Sequence, residues 1–238
     1  MIGELRTVVL DAADIAGLSA FYSSLAGWTE RYADAEWVTM TTDDGWRIGL
    51  QHAPDHVPPR WPDQAHPQQA HLDLRVSDVE AATAKATSLG ASLLRRNETW
   101  NTLADPAGHP FDLCLKAENP GTTIMGVMLD CPDTKVLSPF YSELLGKPLT
   151  YEGEGMAMIG AEGERPVTFQ QVEGYVAPEW GDPARPQQFH LDIRVDEIES
   201  AERAALALGA RSLDYQGENW RVYADPAGKP FCLLWGVE

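Results

Sequence analysis

Two short segments of this chain carry side chains that can do chemistry, and each is a copy of the other. His71-Leu-Asp-Leu-Arg-Val76 returns as His190-Leu-Asp-Ile-Arg-Val195. Alternation of this kind reads as a β-strand with one apolar face. If Leu72, Leu74 and Val76 face a core, then His71, Asp73 and Arg75 face the other way, as do His190, Asp192 and Arg194 in the copy. The same parity puts Asp112, between Phe111 and Leu113, and Cys232, between Phe231 and Leu233, on the polar side of their own strands. An imidazole in line with a carboxylate and a guanidinium can move a proton, hold a divalent cation or seat an anion. Trp61, Trp100, Trp180 and Trp220, with Trp37 and Trp46, are candidates for the aromatic walls of a small-molecule pocket.

Each residue also has a structural reading. The histidines can be held by a neighbouring Asp or Arg, and Arg75 and Arg194 can pair with Asp73, Asp192 or other acidic neighbours. The tryptophans can be core or domain-interface residues. Cys232 can be a small buried hydrophobe. His52 and His56 flank Pro54 and are not read as a metal pair.

The elements that must position these residues are themselves written twice. Phe21-Tyr22 answers to Phe140-Tyr141, and Pro59-Arg-Trp61 to Pro178-Glu-Trp180. Trp100 answers to Trp220, and Asp105-Pro-Ala-Gly-His-Pro-Phe111 to Asp225-Pro-Ala-Gly-Lys-Pro-Phe231. Repeat units of about half the chain are far longer than those of a solenoid. They predict two similar domains, 1–118 and 119–238, with the boundary in the polar stretch Lys116–Thr123 around Pro120-Gly121.

Within each copy one order occurs twice. Leu5–Leu10 reads as a strand, and Asp14 caps a helix bearing Ile15, Leu18, Phe21, Tyr22 and Leu25, stopped by Gly27. Short strands follow at Trp28–Tyr32, Trp37–Thr42 and Trp46–Gln51. After the proline-rich stretch Pro54–Pro67 the pattern restarts with the His71 strand. Ser77-Asp-Val-Glu80 then forms a capping box, opening a helix through Leu89 that Gly90 ends. Strands at Ala91–Arg95, Trp100–Ala104 and Phe111–Leu115 complete the second module. The later copy repeats the series, with Gly146 and Gly209 as helix stops and Asp196 as the last helix cap. The predicted class is α+β, with four tandem βαβββ modules.

With 18 basic against 36 acidic residues the net charge is −18, which argues against nucleic acid and anionic membrane surfaces as partners. The first residues show no export signal, and no stretch approaches the ~20 apolar residues of a membrane span. Cys114, Cys131 and Cys232 match neither a disulfide framework nor a zinc ribbon, so a cytoplasmic location is expected.

These features together resemble the vicinal oxygen chelate superfamily. They are the paired modules, a Phe-Tyr helix ending in Leu-x-Gly, a His-Leu-Asp-Leu strand, a Leu-Gly-Ala helix end, and an Asp-Pro-x-Gly turn before a final strand. The superfamily includes glyoxalase I, bleomycin-resistance proteins and extradiol dioxygenases, and the chain is most similar to glyoxalase-like domains of actinobacterial type. The resemblance implies two glyoxalase-like domains. Each would form a curved mixed sheet from two modules side by side, cupped around a small-molecule ligand with the helices outside, as a monomer or homodimer.

In metal-using relatives the ligands come from the first and last strands of the modules. Those positions fall here at Thr7 and Gly126, at Gly49 or Gln51, at Thr168 or Gln170, at His71 and His190, and at Asp112 and Cys232. The extradiol dioxygenase triad is incomplete at Gly126 and Cys232. Two functional readings follow from the resemblance. In one, the cups bind or sequester a small molecule without metal, as drug and natural-product resistance relatives do, with His71, Arg75, Trp61, Trp100 and Gln51 lining one and His190, Arg194, Trp180, Trp220 and Gln170 the other. In the alternative, His71 and Asp112, completed by water, substrate or Gln51, hold a divalent metal (Zn, Fe, Mn, Ni or Co) for a lyase or isomerase, with Asp112 as the candidate catalytic carboxylate. His190 and Cys232 are the weaker metal pair of the second half.

Overall fold

Among the described residues the chain forms sixteen strands and four helices, and the helices pack on the apolar face of the sheets. The computed structural model describes residues 1–119 and 121–237. The first module is β1 (Glu4–Ala12), α1 (Ile15–Ala26), β2 (Thr29–Ala33), β3 (Trp37–Thr41) and β4 (Arg47–His52). The second is β5 (Ala70–Val76), α2 (Val79–Ser88), β6 (Ser92–Arg96), β7 (Trp100–Ala104) and β8 (Pro110–Leu115). The third is β9 (Thr123–Cys131), α3 (Thr134–Leu145), β10 (Leu149–Gly153), β11 (Met156–Ile159) and β12 (Val167–Gln171). The fourth is β13 (Phe189–Arg194), α4 (Ile198–Ala207), β14 (Arg211–Gln216), β15 (Trp220–Ala224) and β16 (Pro230–Leu234). Pro120, in the expected boundary, lies outside the described residues.

Helix ends follow the expected chemistry with one shift. Asp14 accepts from the backbone N–H of Gly17, and Gly27 and Gly146 close α1 and α3 in the left-handed conformation. Where Ser77 and Asp196 were the expected caps, Asp78 and Glu197 take the role one residue later, accepting from the first free N–H groups of α2 and α4. A carboxylate two or three residues before those donors reaches them and displaces its neighbour.

The sheets pair the modules differently from expectation. One eight-stranded sheet runs β14-β15-β16-β13-β1-β4-β3-β2, the other β10-β11-β12-β9-β5-β8-β7-β6. Module one therefore shares a sheet with module four, and module two with module three, so both halves of the sequence contribute to each cup. The seams are the antiparallel pairs β1–β13 and β5–β9, and each module's first and last strands run parallel. Connection length explains the pairing. The short link from β8 to β9 keeps the chain in one sheet, whereas the proline-rich segments 53–69 and 172–188 carry it across to the other. β1 and β9 share one apolar pattern and β5 and β13 another, so the pattern does not tell β1 whether to pair with β5 or β13.

The core lies between the sheets' apolar faces and the helices, with Leu72, Leu74, Phe111, Leu113, Leu191, Ile193, Phe231 and Leu233 almost fully buried. Trp46 belongs to this core rather than to an aromatic wall. The two Asp-Pro-x-Gly turns are anchored to it: Tyr22 donates to Asp105 and Tyr141 to Asp225, each at 2.9 Å.

Candidate active site

In the first cup, of modules one and four, the floor is β13 beside β16. Strand parity turns His190 and Asp192 to the same face, and the parallel ladder sets Asp192 against Cys232. His190 Nε2 lies 3.4 Å from Asp192 Oδ1, and one ligating atom from each of His190, Asp192 and Cys232 falls within 4.8 Å of the others. His190 Nδ1 is buried without a hydrogen-bond partner among the described residues. Burial favours the neutral imidazole, but Cys232 and Asp192 outweigh it and hold the His190 pKa well above the ordinary value. Burial pushes the Cys232 thiol up, although His190 opposes it.

The facing half of this cup comes from β1, β4 and β3. Trp37 lies over Gly49: a Cβ there would sit 2.5 Å from the indole Cζ2, so glycine admits the ring. Opposite stand Trp180, Tyr215 and Trp220, with successive ring centroids 5.2 Å apart. With Gln51, Gln187 and the polar floor they line a cavity of about 440 Å³. Asp11, nearly buried on β1, accepts from Gln187 at 2.8 Å.

The second cup, of modules two and three, repeats the floor with a carboxylate for the thiol. His71 Nε2 lies 3.4 Å from Asp73 Oδ1, and Asp112 completes a group whose ligating atoms lie within 4.8 Å of one another. Asp112 Oδ1 is buried and unpartnered among the described residues. Burial disfavours the charge on His71, yet Asp73, Asp112 and Asp130 together raise its pKa to about 9. The Gln68 side-chain amide is 3.2 Å from His71 Nδ1, and both Gln68 and Gln170 donate to Asp130, at 3.1 and 2.9 Å. Met128, largely buried, pairs with His71 in the ladder, where the first cup has the smaller Val9 opposite His190.

The two glutamines of the expected linings are thus exchanged between cups. Gln51 stands with His190 rather than completing a site at His71, and Gln170 stands in the cup of His71 rather than that of His190. Both follow from the module pairing. Trp180 and Trp220 share the first cavity; Trp100 lies on β7 of the second sheet, and Trp61 is half-buried in the 53–69 connection. Arg75 pairs with Glu162 at 3.3 Å and Arg194 with Glu4 at 3.2 Å. Arg194 is outside the first cavity's lining. Asp73 and Asp192 are floor carboxylates in the sequence reading, and the structure adds them to the ligating groups. The signal was the two-residue spacing from each histidine. Glu36, His52, Gln187 and Tyr215 also line the first cavity and were not singled out for it. They come from modules one and four and the segment before β13, which meet only through the cross-half pairing.

A family model described as glyoxalase-like domain matches the chain twice, at residues 7–114 and 126–234. The chain belongs to the glyoxalase-like domain family. Among solved structures, glyoxalase I from Zea mays superposes with a TM-score of 0.67 at 18% identity, covering 98% of this chain and 92% of that one. A point mutant of the same maize enzyme gives 0.67 at 17% identity, over 98% and 94%. A putative dioxygenase from Bacillus subtilis subsp. subtilis str. 168 gives 0.66 at 9% identity, over 100% and 86%. At such identities the likeness is one of fold. No curated protein matches the chain. The resemblance to the vicinal oxygen chelate superfamily is therefore confirmed, as a glyoxalase-like chain of four tandem modules. No helix among the described residues is long and apolar enough to cross a membrane.

Proposed function

We propose that this glyoxalase-like protein binds a small organic molecule in the first cup without a metal, as a sequestering protein of the resistance type. The observation that carries this reading is the cavity of about 440 Å³, walled by Trp37, Trp180, Tyr215 and Trp220 above a polar floor. Such a volume and lining suit a drug-sized ligand oriented by a few polar groups. Three free cysteines support a reducing cytoplasmic location. The test is tryptophan fluorescence titration against a broad panel of aromatic and cationic natural products. A saturable response lost in Trp220→Leu supports the reading, and silence across the panel rejects it.

A second reading has its own observation, the orphaned Asp112 Oδ1 beside His71 and Asp73. A tetrahedral metal with bonds of about 2.1 Å sets neighbouring ligand atoms roughly 3.4 Å apart. The His71–Asp73 separation of 3.4 Å is of that size. One imidazole and two carboxylates fit a divalent cation, which would polarise a substrate oxygen in lyase or isomerase chemistry. Asp130, held by Gln68 and Gln170, would keep the facing wall acidic, and Gln68 would orient the His71 ring. Stoichiometric metal that disappears in His71→Ala supports this reading. Metal-free protein after dialysis against each of Zn, Fe, Mn, Ni and Co rejects it.

A further inference from the structure

The aromatic wall of the first cup is not a stacking slot. Trp180 and Tyr215 are inclined by 47°, and Tyr215 and Trp220 by 51°. A planar neutral ring is best held between parallel faces, whereas rings tilted in succession present their faces to a rounded group. Trp37, across the floor, spends its indole N–H on Thr39 Oγ1 at 2.9 Å, leaving its ring face as the surface it can offer. Trp180 and Tyr215 stay 41% and 53% exposed, a large apolar area to leave in water unless something covers it.

Apart from its two imidazoles, the ionisable side chains of this lining are acidic. Glu36 and Asp192 line the cavity, and among the described residues no lysine or arginine does. The two imidazoles in the lining are each close to a carboxylate, His52 at 3.5 Å from Glu36 and His190 at 3.4 Å from Asp192. Aromatic faces carry negative potential, and several around one site bind quaternary ammonium groups. A net charge of −18 adds long-range attraction for a cation.

We infer that the first cup recognises its ligand through a tertiary or quaternary ammonium group seated against Trp180, Tyr215 and Trp220, with Glu36 as the counter-charge at the mouth. The inference rests on the small-molecule reading above and names the ligand class.

The test compares two probes of one shape, (3-hydroxyphenyl)trimethylammonium and 3-tert-butylphenol, by isothermal titration calorimetry on the full chain. The expected result is about tenfold tighter binding of the cation. That preference should survive in Tyr215→Phe, collapse in Tyr215→Leu, and fall several-fold in Glu36→Gln with a weaker salt dependence. Tyr215 is exposed, so both of its variants are expected to fold, which circular dichroism checks. Equal or tighter binding of the neutral phenol overturns the inference while leaving the small-molecule reading intact. Absence of saturable heat from both probes also overturns it. The small-molecule reading fails separately, when the broad panel is silent.

Discussion

The backbone N–H of Gln188 donates to the side-chain oxygen of Gln69 at 2.9 Å, and the two residues hold equivalent positions in the repeat. Gln69 also donates to the Pro186 carbonyl at 2.8 Å, and Gln188 to that of Pro67 at 3.2 Å. Their own backbone carbonyls accept from the backbone N–H groups of Asp130 and Asp11, whose side chains are the buried carboxylates of the second and first cups. This knot ties the two proline-rich crossings to both sheets.

Gln69→Ala leaves the Gln188 N–H and the Pro186 carbonyl without these partners, at about 1–3 kcal/mol for each buried group. Urea unfolding should show a loss of roughly 2 kcal/mol or more. A change below about 0.5 kcal/mol would show that water replaces the amide.

Gly49→Ala should act on the cup rather than on the fold. The new Cβ would meet the Trp37 ring at 2.5 Å and the Thr7 methyl at 3.2 Å, so the indole must swing away and break its bond to Thr39. The expected outcome is about 1–3 kcal/mol of lost stability and at least tenfold weaker ligand binding. Calorimetry on wild type and variant checks both, and unchanged affinity would remove Trp37 from the binding wall.

Chelator treatment separates the cups. Binding in the first cup should change less than twofold after EDTA. Metal uptake, measured by elemental analysis, should depend on His71 and Asp112, falling in His71→Ala and Asp112→Asn while Cys232→Ala retains it. Loss of metal in Cys232→Ala would move the centre to the first cup.

His109 gives the pH dependence a sign. Its ring lies 3.1 Å from Asp105, and Asp105 with Asp11 overcomes burial to raise its pKa above 6.5. The neighbouring His56 ring, 5.0 Å away, is pushed down to about 4 and stays neutral near pH 7. A group whose pKa is raised by folding stabilises fully below its unfolded value and loses that contribution as pH climbs through the folded one. The stability gap between wild type and His109→Gln should therefore be largest below pH 6.5 and narrow as the pH rises above it. A gap that widens with pH would contradict the assignment.

Most of the fold was legible because strand parity and helix caps are local. Alternation at His71–Val76 and His190–Val195 placed each histidine and its aspartate on one face of the strand, and in each pair the two side chains lie 3.4 Å apart. What the residues could not report was which modules share a sheet. The Val8–Leu191 and Leu72–Val127 pairings across the two seams are equally apolar, so only connection length distinguishes them. That ambiguity exchanged Gln51 and Gln170 between cups. It also hid Tyr215 and Glu36, whose modules meet across the first cup only after the halves interlock. Arg75 and Arg194 were ambiguous for another reason: their partners Glu162 and Glu4 lie far away in sequence.

The pairing of module one with module four has a consequence for how the two cups can diverge. Each cup draws on both halves of the chain, as a site at the interface of a symmetric dimer would. In such a dimer every substitution is imposed on both sites at once. Joining the halves through the short link between β8 and β9 releases that constraint. One floor can carry Cys232 under an aromatic wall while its twin carries Asp112, with Met128 opposite His71. The molecule has the frame of a two-fold assembly without its obligation to be identical, and two separate specificities can evolve within one polypeptide.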